Sequence, residues 1–441
     1  MEQASKKIFN VSVLGASHLK DGKPCQDYSL SWQSDDADVS IVIVCDGHGS
    51  DTYVRSDVGS RLAATIAFSA IKTMVIGDPE RGISPNPEWI LNSSGSVTAR
   101  EQNAALRYDT RKPKPENEMT EVDTQRYNQR LSFISQVRDI REQDEIFEAL
   151  FTTIYEKWID AINLDANENP FSEIEKSKLA GNKLVKAYGT TLMAYVQTPL
   201  YWFAFHIGDG RLLGCDRELN WKQLVPWDCA CFQNHTTSLC NSQPVPLFRY
   251  AFDATGNFPA AVFCCSDGIE DSWGDYDVAP QLLHSYYTNL LGVFAVEDTD
   301  SVVAKLDDFL PKLSEKGSKD DMSLAGIIDT EAIQEGLKRR EILDSRNQIE
   351  EEINARAEAC RQIEEEIESK KTEIQVLRNT LSQKEEEKAN ADSIAEKEID
   401  KLDREISEVT DRMNNAIKLA IDGWKRKMND IFSPLKNKNI E

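Results

Sequence analysis

Four short acidic motifs recur over the first three-quarters of this 441-residue chain. They are Cys45-Asp46-Gly47-His48-Gly49, Gly208-Asp209-Gly210-Arg211, Ser266-Asp267-Gly268-Ile269-Glu270-Asp271 and Gly317-Ser318-Lys319-Asp320-Asp321-Met322-Ser323. Carboxylates that converge on one spot repel each other unless a cation sits among them. Hard oxygen ligands of this kind suit Mg²⁺ or Mn²⁺. Two such ions close together activate water against a phosphate ester. Asp46 is the candidate to bridge two metals, with the Gly47 carbonyl as an additional oxygen ligand, because a bulkier side chain at 47 would crowd the ion's water shell. His48 follows directly, and an imidazole there suits proton transfer near neutral pH. The bland reading of any single Asp-Gly pair is a turn. Three such pairs together with the Asp320-Asp321 motif argue otherwise.

Three of these motifs are placed by apolar runs. Val39 to Val44 precedes Asp46, Tyr201 to Ile207 precedes Asp209, and Ala260 to Cys265 precedes Asp267, so each aspartate stands where a buried strand ends. Residues 8–45 read as two or three strands. Asp57 to Ala70 reads as a helix on Val58, Leu62 and Ile66, with small residues that allow close packing. Residues 77–128, with Pro79, Pro85, Pro87, Pro113 and Pro115, read as a poorly packed insertion carrying short local helices. A helix is expected from Gln129 to Leu164, then three strands from Gly189 to Leu224. A looped, cysteine-bearing segment from Pro226 to Phe252 and helices near Val278–Leu291 and Thr299–Leu313 complete this part.

Composition narrows the partners. The net charge of −24 disfavours nucleic acid and anionic membranes. Met1 to Lys7 lacks the apolar core of a signal peptide, and no apolar run approaches the length that spans a bilayer. Scattered cysteines, several inside apparent strands, read as buried reduced thiols of a cytoplasmic protein. Cys229, Cys231, His235 and Cys240 lie close enough to suggest zinc, although their spacing matches no standard finger.

The order of the motifs resembles the metal-dependent serine/threonine protein phosphatases, type 2C (PPM). Gly15-Ala16-Ser17-His18, read as opening a first strand, Pro24-Cys25-Gln26-Asp27, Tyr188-Gly189-Thr190-Thr191-Leu192 and the last strand Ser323 to Ile328 supply further family pieces between Val11 and Asp329. The resemblance implies a four-layer α-β-β-α sandwich of two mainly antiparallel sheets with flanking helices, in a domain over residues 1–330. It implies two Mn²⁺ or Mg²⁺ ions, with room for a weaker third. Asp46, Gly47, Asp267, Asp320 and Gln26 would serve the first two, and Asp209 and Asp271 the third. His48 would be the general acid, and a phosphoprotein the substrate. Asp321 stands where the family usually has Asn, and reads as a turn cap rather than a ligand. Two departures stand out. Gln26-Asp27 replaces the usual Glu-Asp, so the second metal loses one negative charge. Gly22 stands where the family places a phosphate-binding arginine, with Lys20, Lys23 or His18 as substitutes. The Gln-Asp form resembles a bacterial-type branch. The competing reading is a pseudophosphatase or scaffold that keeps the fold with weak metal binding.

Beyond Asp329 the composition changes. From Glu331 to about Ile431 there is no proline and only Gly336 and Gly423. Ile363, Ile367, Ile374, Leu377 and Leu381 fit one a/d seam, and Ile399, Leu402, Ile406, Val409 and Met413 another. Lys384 to Glu398 interrupts the seam. Residues 331–431 are therefore either one long coiled-coil helix with a stutter or a helical hairpin turning at Asn390 to Ser393, followed by a flexible 432–441. Such a segment would self-associate or take a partner helix.

Overall fold

The computed structural model describes residues 6–85, 98–99, 119–125, 128, 141–228, 231, 236–385 and 392–436. The chain divides into two compact units, Met1–Leu337 and Lys338–Glu441.

The first unit is built on two antiparallel sheets. One orders its strands β1 (Lys6–Val13), β11 (Met322–Asp329), β10 (Ala261–Cys265), β7 (Arg211–Cys215) and β8 (Trp221–Gln223). The other orders β2 (Tyr28–Gln33), β3 (Ser40–Cys45), β5 (Leu192–Gln197), β6 (Trp202–Ile207), β9 (Arg249–Asp253) and β4 (Thr98–Ala99). Strand β3 shows why these runs are continuous rather than alternating. Val42 and Val44 join the apolar layer between the sheets, with Met193, Leu212, Val262 and Ile327, while Ile41, Ile43 and Cys45 join the layer under the helices. A strand covered on both faces has no polar side to show.

Helices α2 (Ser56–Ile76) and α3 (Arg141–Glu168) cover the second sheet. Helices α7 (Pro280–Phe294) and α8 (Thr299–Lys316) cover the first through Tyr287, Leu291, Leu306 and Leu310. The four layers are those expected. The small residues of α2 let it approach closely: a Cβ at Gly59 would lie 2.0 Å from the Tyr188 carbonyl, and the Trp158 indole donates to the Gly59 carbonyl at 3.0 Å.

Several expectations change. Gly15 to His18 does not open a strand. Strand β1 ends at Val13 and Ala16–Asp21 forms helix α1, because Gly15 and Ser17 turn their N–H groups to the Asp321 carboxylate and the Lys319 carbonyl. Four strands, not three, follow Gly189. The segment expected as loop to Phe252 ends in β9. Helix α3 runs on to Glu168, and residues 129–140 of the expected helix lie outside the described residues. The insertion contributes a 3₁₀ turn at Pro79–Arg81 and the edge strand β4, paired with β9; most of the rest lies outside the described residues. Helix α2 is also long and apolar enough by composition to cross a membrane, contrary to the expectation, but Ala63, Ala64, Ala67 and Ile71 bury one face of it in the core.

Helix α9 (Thr330–Glu385) begins in the first unit, and its part from Lys338 onward and α10 (Asp392–Lys436) fold back on each other in the second. Glu366 reaches Arg412 (3.9 Å), Lys370 reaches Glu405 (3.3 Å), Arg378 reaches Asp403 (4.0 Å), and Glu352 pairs with Lys427. The opposed numbering makes the pair antiparallel. Ile374, Ile399 and Leu402 form its buried seam with Leu377, Leu381 and Ile406 packed beside them. The segment is therefore a hairpin, and Asp392 and Ser393 begin α10 rather than forming its turn.

Arg55 ties three elements of the first unit. Its guanidinium donates to Glu175 (2.9 Å) on α4 (Glu173–Leu179), to Asp165 (3.1 Å) on α3 and to the Asn169 carbonyl (2.6 Å), and it lies over the Phe171 ring. The Arg55 hydrogen bond holds the Glu175 carboxyl down at about 2. A depressed carboxyl stabilises the fold above its unfolded value and loses that contribution as pH falls through the folded one. Glu175→Gln is therefore expected to cost about 1–2 kcal/mol at pH 7 in chemical denaturation. The difference from wild type should shrink below about pH 4.3; a pH-independent difference would contradict this account.

Candidate metal centre

Three strand ends bring their carboxylates together. Asp46 follows β3 directly, Asp209 sits in the turn between β6 and β7, and Asp267 opens the short helix α6 (Asp267–Asp271) after β10; α5 is the single turn Leu184–Ala187 ahead of β5. One carboxylate oxygen from each lies within 4.8 Å of the other two. The backbone of Asp46 is fully engaged. Its N–H donates to Thr191 Oγ1 (3.0 Å), and its carbonyl accepts from the Thr191 N–H (2.8 Å) and Thr190 Oγ1 (2.9 Å). Its side chain is not: Oδ2 is buried without a hydrogen-bond partner.

The local field is strongly negative. Burial pushes the Asp46 carboxyl well above the usual range, and the charges of Asp267, Asp27, Asp209 and Asp320 push it further. Asp267 is raised by burial and then by Asp209 and Asp320. Asp271 is raised by burial, Asp209 and Asp320, and Asp320 mainly by burial. Five of the expected ligands, Asp46, Asp209, Asp267, Asp271 and Asp320, thus share one field. Asp209 lies in the central cluster with Asp46 and Asp267 rather than at its edge. All the donors are oxygens, and an orphaned buried carboxylate oxygen is among them, so the set fits a hard divalent cation.

A second ring of contacts holds this cluster. Asp321 Oδ1 accepts from the Gly15 N–H (2.6 Å), and Oδ2 accepts from the Gln26 N–H (2.6 Å) and meets His18 Nδ1 (2.8 Å). Asp321 is thus no simple turn cap; it clamps two distant segments to the start of β11. Gln26 Oε1 is buried without a partner, while its amide nitrogen donates to the Tyr53 carbonyl (3.2 Å). Glycine at 47 also has a packing reason. A Cβ there would lie 2.3 Å from the Gln26 carbonyl, so the residue is small to let two backbones meet.

The two histidines occupy different environments. His48 donates its backbone N–H to Ser56 Oγ (2.7 Å), sets Nε2 2.8 Å from Ser238 Oγ, and packs its ring on Tyr53 at 4.5 Å. Burial and the Lys186 charge push its imidazole down to about 4. His18 is raised instead, chiefly by its hydrogen bond to Asp321, and its Nε2 lies 4.0 Å from Asp320 Oδ1. Lys23 donates to the Gly49 carbonyl (2.7 Å), and its charge reaches both Asp320 and His18. Lys20 is exposed on α1. Of the three substitutes for the absent arginine, His18 and Lys23 flank the carboxylates. Gly22 itself closes α1 at φ +67°, a conformation that disfavours an arginine.

Two features escaped the sequence reading. Asp27 is buried with Oδ2 unpartnered, and the Asp46 and Ser266 side chains both reach it. It keeps a buried carboxylate beside the neutral Gln26. Its signal was its place in the Gln26-Asp27 pair. Arg211 forms a buried two-bond pair with Glu270 (both 2.7 Å), its guanidinium lying 3.6 Å from the Trp227 ring centre and 4.3 Å from that of Tyr276. Glu270 sits between Asp267 and Asp271, so this pair anchors α6. Both partners lie inside the acidic motifs, but nothing local links them. The cysteine segment does not present a zinc site among the described residues. Cys231 turns its thiol to the Gly208 carbonyl (3.3 Å), Cys240 sits beside Ser238, and Cys229 and His235 lie outside the described residues.

A family model for protein phosphatase 2C matches residues 14–311. Among solved structures, the chain is similar to the S. agalactiae serine/threonine phosphatase, at 13% identity and a TM-score of 0.37, covering 73% of this chain and 99% of that one. It is similar to serine/threonine phosphatase Stp1 from Staphylococcus aureus, at 12% identity and a TM-score of 0.38, covering 73% and 94%. A further likeness is to RsbX in complex with magnesium, at 9% identity and a TM-score of 0.32, covering 74% and 96%. A search of curated proteins found no match. With the family model spanning well over half of its length, the chain belongs to the protein phosphatase 2C family and is a protein serine/threonine phosphatase.

Proposed function

We propose that the carboxylate cluster holds divalent cations and that the chain hydrolyses phosphoserine and phosphothreonine in proteins with a water activated there. The observation that carries this reading is the convergence of Asp46, Asp209 and Asp267 within 4.8 Å around a buried, unpartnered carboxylate oxygen. Asp46, Asp209, Asp267, Asp271 and Asp320 are the holding residues, with the Gly47 carbonyl, Gln26 and Asp27 beside them. Bound there, Mn²⁺ or Mg²⁺ supplies the positive charge that activates water against a phosphate monoester. Lys23 and His18, whose charges reach Asp320, would receive phosphate oxygens as point donors rather than as a guanidinium fork. His48 is the residue to deliver a proton to the departing seryl or threonyl oxygen, and its imidazole must take up that proton against the burial and the Lys186 charge that lower it. No thiol is needed. The buried carboxylate set argues against a fold retained only for binding, because a binder gains nothing from mutually repelling aspartates.

Release of phosphate from a phosphothreonine peptide is expected to require Mn²⁺ or Mg²⁺ and to stop on adding a chelator. Asp46→Asn and Asp267→Asn should each cost several orders of magnitude in kcat and weaken Mn²⁺ binding by calorimetry. A wild-type chain that binds Mn²⁺ but releases no phosphate would favour the binding-module reading instead. His48→Ala should keep the metals yet slow the peptide reaction about 10²-fold. It should spare p-nitrophenyl phosphate, whose leaving group hardly needs a proton. Equal rates for His48→Ala and wild type on the peptide would remove the acid assignment.

For the second unit we propose self-association or capture of a partner helix. Support comes from the apolar side chains that the fold-back leaves exposed: Ile353, Ile417, Ile421 and Trp424. Light scattering on the full chain should give a mass above the monomer, and removal of residues 338–441 should return it to the monomer. A monomeric full chain that also captures no helical partner would leave the hairpin a spacer.

A further inference from the structure

Lysines crowd one short segment beside the carboxylate site. The segment from Gly49 to Tyr53 follows Asp46-Gly47-His48 and leads into α2. Lys23, just after α1, donates to the Gly49 carbonyl at 2.7 Å. Lys186 on α5 donates to the Tyr53 hydroxyl at 2.7 Å. Between them stands Asp51, with Lys23 Nζ at 3.9 Å and Lys178 Nζ at 3.8 Å from the same carboxylate oxygen. Three ammonium groups thus gather around one exposed carboxylate, on a chain whose net charge is −24. The acids of α4 are engaged elsewhere, Glu175 by Arg55 at 2.9 Å and Glu173 by Lys176 at 2.7 Å.

The fold fixes where Lys178 stands. Ser172 and Glu175 cap the start of α4 reciprocally, and Arg55 pins Glu175. Lys178 follows in the last turn of α4, where the helix dipole favours a cation. Its path to the carboxylates is short. His18 Nε2 lies 4.0 Å from Asp320 Oδ1, and a Cβ at Gly49 would lie 3.3 Å from that nitrogen. The Gly49 carbonyl holds Lys23, and Asp51 joins Lys23 to Lys178. At 3.8–3.9 Å neither lysine hydrogen-bonds Asp51, so the contact is one of charge alone. The Asp51 side chain is 74% exposed, and exposed charge pairs are weak, so it gives up its place easily.

Sharing one oxygen puts the Lys23 and Lys178 ammonium groups no more than about 8 Å apart. In an extended peptide, side chains two residues apart point the same way and are spaced by roughly 6.6–7 Å. We infer that Lys178 determines specificity in the phosphatase reaction: it receives an aspartate or glutamate two residues from the phosphorylated one, so the substrates are phosphoproteins with acidic flanks. This rests on the proposed phosphatase reading, in which Lys23 meets the phosphate. A phosphate on Lys23 and a carboxylate on Lys178 use the two cations that now share Asp51. Asp51 is the stand-in for the substrate's carboxylate. An acidic flank needs such a contact, because the chain as a whole repels it.

The test uses the full chain with Mn²⁺ and two phosphothreonine peptides. One carries glutamate, the other glutamine, at both positions two residues from the phosphothreonine. Wild type should show a KM about fivefold lower for the glutamate peptide, the factor that one exposed ion pair supplies, with kcat equal for the two. At about 0.5 M salt, where charges are screened over a few ångströms, the ratio of the two KM values should approach one. Lys178→Gln should bring the ratio to about one at low salt, Lys178→Arg should keep it, and Lys178→Glu should invert it. Both peptides are read on each variant, so a loss of folded enzyme lowers both rates and leaves the ratio untouched. Equal KM values in wild type, a preference expressed in kcat instead, a ratio that survives Lys178→Gln, or one that Lys178→Arg abolishes would each overturn the inference and leave the phosphatase reading standing. Release of phosphate from neither peptide would remove that reading, and this inference with it.

Discussion

Mutual repulsion among buried carboxylates is the constraint around which the first unit is arranged. At roughly 5 Å two carboxylates repel by about 3 kcal/mol at an effective dielectric of 20. A domain's whole stability is about 5–15 kcal/mol. Three such groups, with Asp271, Asp320 and Asp27 in the same field, cannot all ionise without a counter-charge. The surrounding structure holds them in place regardless. Two sheets bury their facing layer around Val44, Met193, Val262 and Ala325, and so fix where the strands end. Thr190 and Thr191 occupy every backbone group of Asp46. The Arg211–Glu270 pair holds α6, carrying Asp267 and Asp271, against the start of β7. Each of these contacts is ordinary by itself. Together they keep the carboxylates from relaxing apart, which is what makes the site receptive to a divalent cation.

Asp320 and Asp321 show how neighbouring residues of one type take opposite parts. Asp321 receives two backbone N–H groups at 2.6 Å and meets an imidazole nitrogen at 2.8 Å, so its charge is satisfied within the protein. Asp320 faces the cluster, with the His18 and Lys23 charges at its edge. The family more often has an amide at the second position. Here a carboxylate stands there and a histidine stands opposite it. The pair brings the His18 imidazole to 4.0 Å from Asp320 from a helix whose closing residue, Gly22, cannot comfortably be an arginine. Aspartate at 321 and glycine at 22 are in this sense one adjustment.

Much of this was legible in the sequence because the signals are local. A continuous apolar run that ends in Asp-Gly marks a doubly covered strand and its terminal carboxylate, and β3, β6 and β10 follow that pattern. The heptad seams marked the two long helices, and the polar stretch from Lys384 marked their break. What escaped reading depends on distant partners. Arg211 and Glu270 are 59 residues apart, and only the packing of β7 against α6 joins them. Helix α1 spans six residues, too few for a periodic pattern, and exists because the chain must turn its amides toward Asp321. Ser238 carries no signal at all. A serine in a polar segment is unremarkable until the fold lays it against His48.

The hairpin of the second unit separates orientation from stability. Its cross-helix ion pairs involve exposed side chains, and such pairs contribute about 0–1 kcal/mol each. A large aliphatic side chain contributes about 1.5–3 kcal/mol when fully buried. Ile374, Ile399 and Leu402, with Ile349 and Val409 also buried, therefore hold the helices together, while the charges select the antiparallel pairing. That division changes along its length. Near the helix ends that approach the connection, isoleucine and leucine fill the space. Further away, Ala357, Cys360 and Ala420 stand where bulk would be needed, and a hollow of about 420 Å³ opens among Ile353, Ile417, Ile421 and Trp424. Lengthening the helices cannot close it, because the deficit is of side-chain volume and not of contact length. The fold-back thus leaves its core incomplete around that hollow.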